Sequence, residues 1–160
     1  MVGTAGEGKA MALARMILRI GFIVLGVSAL GIAVSNFLFG VMTTAAAFDQ
    51  VLRLTGLPAS DVGDLAGVNV DNEFRFYSVF WGVYGVLLLL AARRLEEFMR
   101  WAGWLIFLFF AGGIGRLFSW INVGEPTVLF VLLTIVEFVL SAVLFAAWVV
   151  LRRTQRPPSA

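Results

Sequence analysis

The sequence predicts an all-α fold, a four-helix transmembrane bundle. Three observations lead there. Apolar residues make up 61% of the 160-residue chain, the mean hydropathy is +0.96, and the apolar residues gather into four runs, each close to the ~20 residues that span the hydrocarbon core. The runs are Ile20–Met42, Phe74–Ala92, Trp101–Ile121 and Pro126–Leu151. Helices built on them are expected at about 16–42, 73–92, 101–121 and 126–151, making one membrane domain, 16–151, between an N-terminal segment, 1–15, and a tail, 152–160.

The charges orient these spans. Lys9, Arg15 and Arg19 precede the first, Arg93, Arg94 and Arg100 join the second to the third, and Arg152, Arg153 and Arg156 follow the last. The other two connections carry Asp49, Asp61, Asp64, Asp71 and Glu125, with Arg53 as their one fully extramembrane base. By the positive-inside rule both termini are expected in the cytoplasm, with the acidic connections outside the plasma (inner) membrane. Trp101, Trp104 and Trp148 fall at inner ends and Trp120 at an outer end, as interfacial anchors do. Ala45-Ala46-Ala47 after a basic start resembles a cleavage site, but a signal-peptide apolar region is only ~7–15 residues long, so an uncleaved first helix is expected. Arg156–Ala160 reads as a short disordered tail.

The first outer connection, from Thr43 to Asp71, is long for a compact bundle. Phe48, Val51, Leu52 and Thr55 recur at helical spacing, with Asp49, Gln50 and Arg53 opposite, which predicts a short helix on the outer interface ended by Gly56-Leu57-Pro58. Ser60-Asp61-Val62-Gly63-Asp64 is acidic but lacks calcium-loop spacing and reads as a solvated loop.

Several chemistries are excluded. The chain has no cysteine and no histidine, which removes disulfides, thiol nucleophiles, zinc-finger ligation, His-held haem and a Ser-His-Asp triad. The arginines sit at membrane edges without exposed aromatics between them, so no nucleic-acid partner is expected. Gly112-Gly113-Ile114-Gly115 follows no strand and precedes no Lys-Ser/Thr pair, which excludes a phosphate loop; close packing or a kink explains it better. No residue pattern calls for a metal or cofactor.

What remains is a set of polar residues inside apolar runs. Glu137 lies in the middle of the fourth run, where an unpaired charge costs roughly 2.5–3.5 kcal/mol or more. Arg116, in the third run, is its natural partner. Thr127, Thr134, Glu137 and Ser141 share one helix face, as do Gly112, Arg116 and Ser119; Arg75 shares a stripe with Ser78, Gly82 and Gly85, while Tyr77, Trp81 and Tyr84 lie on another side. In the first run Gly21, Ser28 and Ser35 recur at heptad intervals beside Asn36, and these small residues read mainly as packing positions. At ~1.5 Å per residue, Arg75 lies within a turn of the outer edge, Arg116 and Asn36 about 8–9 Å below it, and Glu137 roughly 16 Å down. Arg116 reaches either toward Glu137 or outward to Glu73. Polar residues thus concentrate in the outer half, which argues against a continuous pore.

Asp71-Asn72-Glu73-Phe74-Arg75-Phe76-Tyr77, then Gly112-Gly113-Ile114-Gly115-Arg116-Leu117-Phe118-Ser119, then Glu137, resembles a bacterial family of small four-helix integral membrane proteins of unknown function. The likeness covers most of the chain from the outer loop onward. Its most specific pieces are Asn-Glu-x-Arg-Phe-Tyr and Gly-Gly-x-Gly-Arg-x-x-Ser. It implies a four-helix membrane domain with Asn72, Glu73, Arg75, Tyr77, Arg116, Ser119 and Glu137 as signature positions; with Asn36 these form the candidate polar cluster.

Four readings of the cluster follow. Glu73, Arg75, Arg116 and Glu137 sum to zero charge and would serve as a buried network that holds helix register. Alternatively, the arginines hold the head of an amphiphilic ligand while Tyr77, Trp81, Tyr84 and phenylalanines line its apolar part. Catalysis would have to use Glu137 and Tyr77 as proton donor and acceptor, and a carrier lacks polar access through the inner half. In the fourth reading the chain is an accessory subunit or homo-oligomer, docking a membrane partner through Phe107, Phe109 and Phe110. Membrane lipids are expected partners in every case. Glu137→Leu is expected to destabilise by orphaning Arg116.

Overall fold

Where helices begin and end follows from a few breaker residues. The computed structural model describes residues 3–58 and 61–154; the tail Arg156–Ala160 and Ser60 of the acidic loop lie outside the described residues. In chain order the helices are α1 (Gly3–Phe39), α2 (Val41–Leu54), α3 (Val68–Arg93), α4 (Leu95–Val123) and α5 (Val128–Thr154), with a 3-10 turn at Gly63–Ala66. The described residues include no strand. α1, α3, α4 and α5 are each long and apolar enough to cross a membrane, which makes this a multi-pass membrane protein.

Gly40 separates α1 from α2 with φ 84°, a left-handed conformation that costs a side-chain-bearing residue but not glycine. A Cβ there would also lie 2.5 Å from an Asp71 carboxylate oxygen and 3.2 Å from an Arg75 terminal nitrogen. Gly124, at φ 130°, ends α4 just before Pro126. Between α3 and α4 there is one bend at Arg94, whose N–H still donates to the Leu90 carbonyl at 2.9 Å. The basic connection is therefore a tight reversal at Arg94, which folds α4 back along α3. Its Glu96 and Glu97 occupy the first turn of α4, where the helix dipole favours acids.

The long helices form a ring. α1 packs on α3 and α5, and α4 closes the ring by packing on both of them. α2 turns back at Gly40 and lies against α1, α3 and α5 at one end of the bundle. At the other end, where α1 begins and α5 ends, Arg15 of α1 pairs with Glu96 of α4 at 3.0 Å. Leu18, Phe22, Leu88, Leu95 and Leu144 are the largest fully buried side chains, so the apolar core fills the half nearest the termini. α1 and α3 approach backbone to backbone where two glycines meet: a Cβ on Gly85 would lie 2.9 Å from the Gly26 carbonyl oxygen.

Two hydrogen bonds tie the ring together within this core. The Tyr84 hydroxyl donates to the Leu105 carbonyl at 2.8 Å, joining α3 to α4, and the Trp148 indole donates to the Met99 carbonyl at 3.0 Å, joining α5 to α4. Tyr84→Phe keeps the ring and removes the first bond. It should lower stability by about 0.5–1.5 kcal/mol, the net worth of one hydrogen bond, in denaturant unfolding of the detergent-solubilised protein.

α2 turns its polar side toward the bundle. Its buried residues are Val41, Thr44, Ala45 and Asp49, whereas Phe48 and Val51 are exposed. The Thr44 hydroxyl hydrogen-bonds to the Ser35 hydroxyl at 2.7 Å and donates to the Gly40 carbonyl at 3.1 Å, and Asp49 accepts from Arg53 Nε at 2.8 Å. The polar side of α2 thus turns into the polar end of the bundle, and its apolar side turns away. The phenylalanine face splits similarly: Phe107 and Phe110 are exposed, but Phe109 belongs to the core.

Candidate functional site

The polar residues of α5 occur on one face, and the structure buries Thr134, Glu137 and Ser141 together. Gly113 explains why α4 can come so near: a Cβ on it would lie 3.2 Å from the Glu137 Cβ and 3.3 Å from the Phe138 ring. Arg116, about one turn further along α4, donates through Nε to both carboxylate oxygens of Glu137, at 2.9 and 3.1 Å. Its guanidinium also sits 5.5 Å from the centre of the Phe130 ring, a cation–π contact. The Glu137 side chain is only 7% exposed and that of Arg116 is 35% exposed.

This geometry leaves an asymmetry. One N–H of Arg116 serves both oxygens of Glu137. A guanidinium has five N–H donors, so the four on its two Nη atoms remain, and among the described residues they donate to no protein atom. Both Glu137 oxygens share that one donor, whereas Arg116 has donors to spare on its more exposed side.

A second polar group lies where α1, α2 and α3 meet. Arg75 Nε donates to Asp71 at 2.7 Å and its Nη1 donates to the Phe37 carbonyl, which pins the start of α3 to the end of α1. Asn36 is buried there, with its Oδ1 lacking a hydrogen-bond partner; the Ser141 hydroxyl on α5 is in the same condition.

Of the eight candidates, the structure joins Arg116 to Glu137 directly. Arg75 pairs with Asp71, not with Glu73, and among the described residues no hydrogen bond or ion pair connects it to Arg116. Asn72, Glu73 and Tyr77 on α3, and Ser119 on α4, have exposed side chains. The reason is helix rotation: Glu73 and Tyr77 each lie two positions from Arg75, about 200° around α3. Tyr84 is not a pocket wall but a core residue, with Trp81 stacked on it at 5.4 Å.

Sequence reasoning left Asp71 out of the cluster, because α3 begins at Val68, nearly two turns before its apolar run; an Asp four residues before an Arg is the signal that would have found it. An apolar groove of about 260 Å³ lies between α1 and α3, lined by Leu30, Ala33, Val34, Phe37, Ser78 and Gly82. It is on the opposite side of the ring from the α4–α5 seam that holds Arg116 and Glu137.

No curated protein and no solved structure matches the chain. A family model described as a domain of unknown function, DUF4345, matches residues 17–148. That match takes in α3 and α4 whole, most of α1 and α5, and both members of the ion pair; the chain belongs to the DUF4345 family.

Proposed function

We propose that the protein binds a lipid-like amphiphile, whose polar head meets Arg116 on the outer-leaflet side of the α4–α5 seam. The observation that carries this reading is the set of four Nη–H donors without an acceptor among the described residues, on an arginine inside a membrane helix. Leaving such donors in hydrocarbon is costly, and phosphate, carboxylate or carbonyl oxygens of a head group satisfy them with charge-assisted bonds. Gly112 adds room. It is exposed, and a Cβ there would come within 3.9 Å of the Glu137 carboxyl carbon, so the surface beside the pair is notched. Ser119 lies a turn further out, and the edge-on pair Phe110–Phe138, 5.3 Å between centres, offers an apolar wall below. The setting we infer is a bacterial plasma membrane with both termini cytoplasmic, which opens the site to the outer leaflet.

Native mass spectrometry of protein purified in mild detergent tests this. The wild type should carry a small amphiphile, and Arg116→Gln should lower its retention by about tenfold or more, the worth of one to two charge-assisted hydrogen bonds. Equal retention by Arg116→Gln, or wild type free of any adduct, would contradict it.

A second reading is favoured by the tight Gly113–Glu137 contact: the pair only clamps α4 to α5, and the chain serves as an accessory subunit that docks through exposed Phe107 and Phe110. That reading expects added protein mass in the same spectra.

A further inference from the structure

The end of the bundle where α1 begins and α5 ends carries a second group of arginines, apart from Arg116. Arg152 and Arg153 stand in the last turns of α5. The carboxylates nearest in kind at that end, Glu96 and Glu97, are engaged by Arg15 at 3.0 Å and Arg94 at 3.5 Å. Among the described residues no salt bridge reaches Arg152 or Arg153. The Arg152 guanidinium instead lies 4.8 Å over the Trp148 ring.

Trp148 is held in place for this contact. Its indole N–H donates to the Met99 carbonyl, and its ring fills the space left by Gly103, where a Cβ would come 2.8 Å from Cζ2. Trp148, Val149, Arg152 and Arg153 enclose a groove of about 200 Å³, and exposed Phe145 continues the apolar wall toward the membrane interior, 5.4 Å from the Trp148 ring. Two cations without a salt bridge among the described residues, above a fixed aromatic wall at the level where head groups begin, match a phosphate with acyl chains attached.

We propose that this groove binds an anionic phospholipid of the adjoining leaflet, with its phosphate between Arg152 and Arg153 and an acyl chain along Trp148 and Phe145. A zwitterionic lipid fits less well, because its ammonium meets two guanidiniums. Free phosphate lacks the apolar half of the contact.

The test is native mass spectrometry of the full chain, delipidated in detergent and titrated with phosphatidylglycerol, phosphatidylcholine or inorganic phosphate. The wild type should retain one phosphatidylglycerol at least about tenfold more strongly than phosphatidylcholine, the scale two interfacial arginines supply, and should retain no phosphate. Arg152→Gln/Arg153→Gln should abolish that preference. Arg19→Gln/Arg100→Gln removes the same charge from the same end and should leave the preference intact. Gly103→Ala, which displaces Trp148 and spares both arginines, should weaken it partly. Equal loss in the two double variants, equal retention of both lipids by the wild type, or binding of phosphate alone would overturn the proposal.

Discussion

Arg116→Leu should lower the stability of the folded bundle by about 3–5 kcal/mol, the cost of breaking a buried ion pair from one side. Glu137→Leu should cost distinctly less. The difference lies in what is left behind. Glu137 has a short side chain, is 7% exposed, and lies about 14 Å along α5 from Val128, so its carboxylate has nowhere to go. Arg116 is already 35% exposed and has a long stem that can snorkel toward the nearer membrane surface. The structure therefore moves the larger penalty to the arginine variant, although sequence alone points to the glutamate. Arg116→Leu/Glu137→Leu should be milder than Arg116→Leu, because neither charge is stranded. Denaturant unfolding in mixed micelles gives all three values. Additive penalties in the double variant would show that the two side chains do not interact.

Gly85→Leu should be comparably damaging for a steric reason. A Cβ at Gly85 would lie 2.9 Å from the Gly26 carbonyl oxygen and 3.1 Å from the Leu30 nitrogen, both backbone atoms of α1 that no rotamer change can remove. The first methyl alone, in Gly85→Ala, should cost about 1–3 kcal/mol, and leucine more, as α1 is levered off α3. Gly21 provides a contrast. The atoms nearest its Cβ would belong to the Leu144 side chain, not to backbone, so Gly21→Ala should be less harmful. At Gly115 nothing lies within 4 Å, and alanine there should be neutral or add up to about 1 kcal/mol from helix propensity. If Gly85→Ala and Gly115→Ala melt alike, the close α1–α3 crossing is wrong.

The features legible in the sequence were those that hydropathy encodes directly. Each long helix follows from an apolar run, and Arg116 and Glu137 stand out because charges inside such runs are costly and seek each other. Rotation is what hydropathy does not encode. In a membrane a helix can turn an apolar face to lipid or to its neighbours with similar ease, so the stripe containing Arg75 could not be aligned with Glu137 by pattern alone. Backbone contact at Gly26 and Gly85 decides it, and leaves Glu73 and Tyr77 outside. α2 reverses the rule learned from soluble helices: Asp49 and Thr44 face inward because that end of the bundle is polar, while Phe48 and Val51 face out. Helix starts were also obscured, since α3 and α4 begin in polar residues, Asp71 and Asn72 in one and Glu96 and Glu97 in the other, which the dipole tolerates there and hydropathy counts as loop.

The most direct measurement is a nitrogen–carbon dipolar distance in lipid bilayers, by solid-state NMR on unmodified protein labelled at Arg116 Nε and Glu137 Cδ. Nitrogen–oxygen separations of 2.9 and 3.1 Å to the two carboxylate oxygens predict strong coupling to the carbon between them. A separation too long for any hydrogen bond would mean that α4 and α5 do not meet through these side chains, and the binding site proposed at Arg116 would fall with the contact.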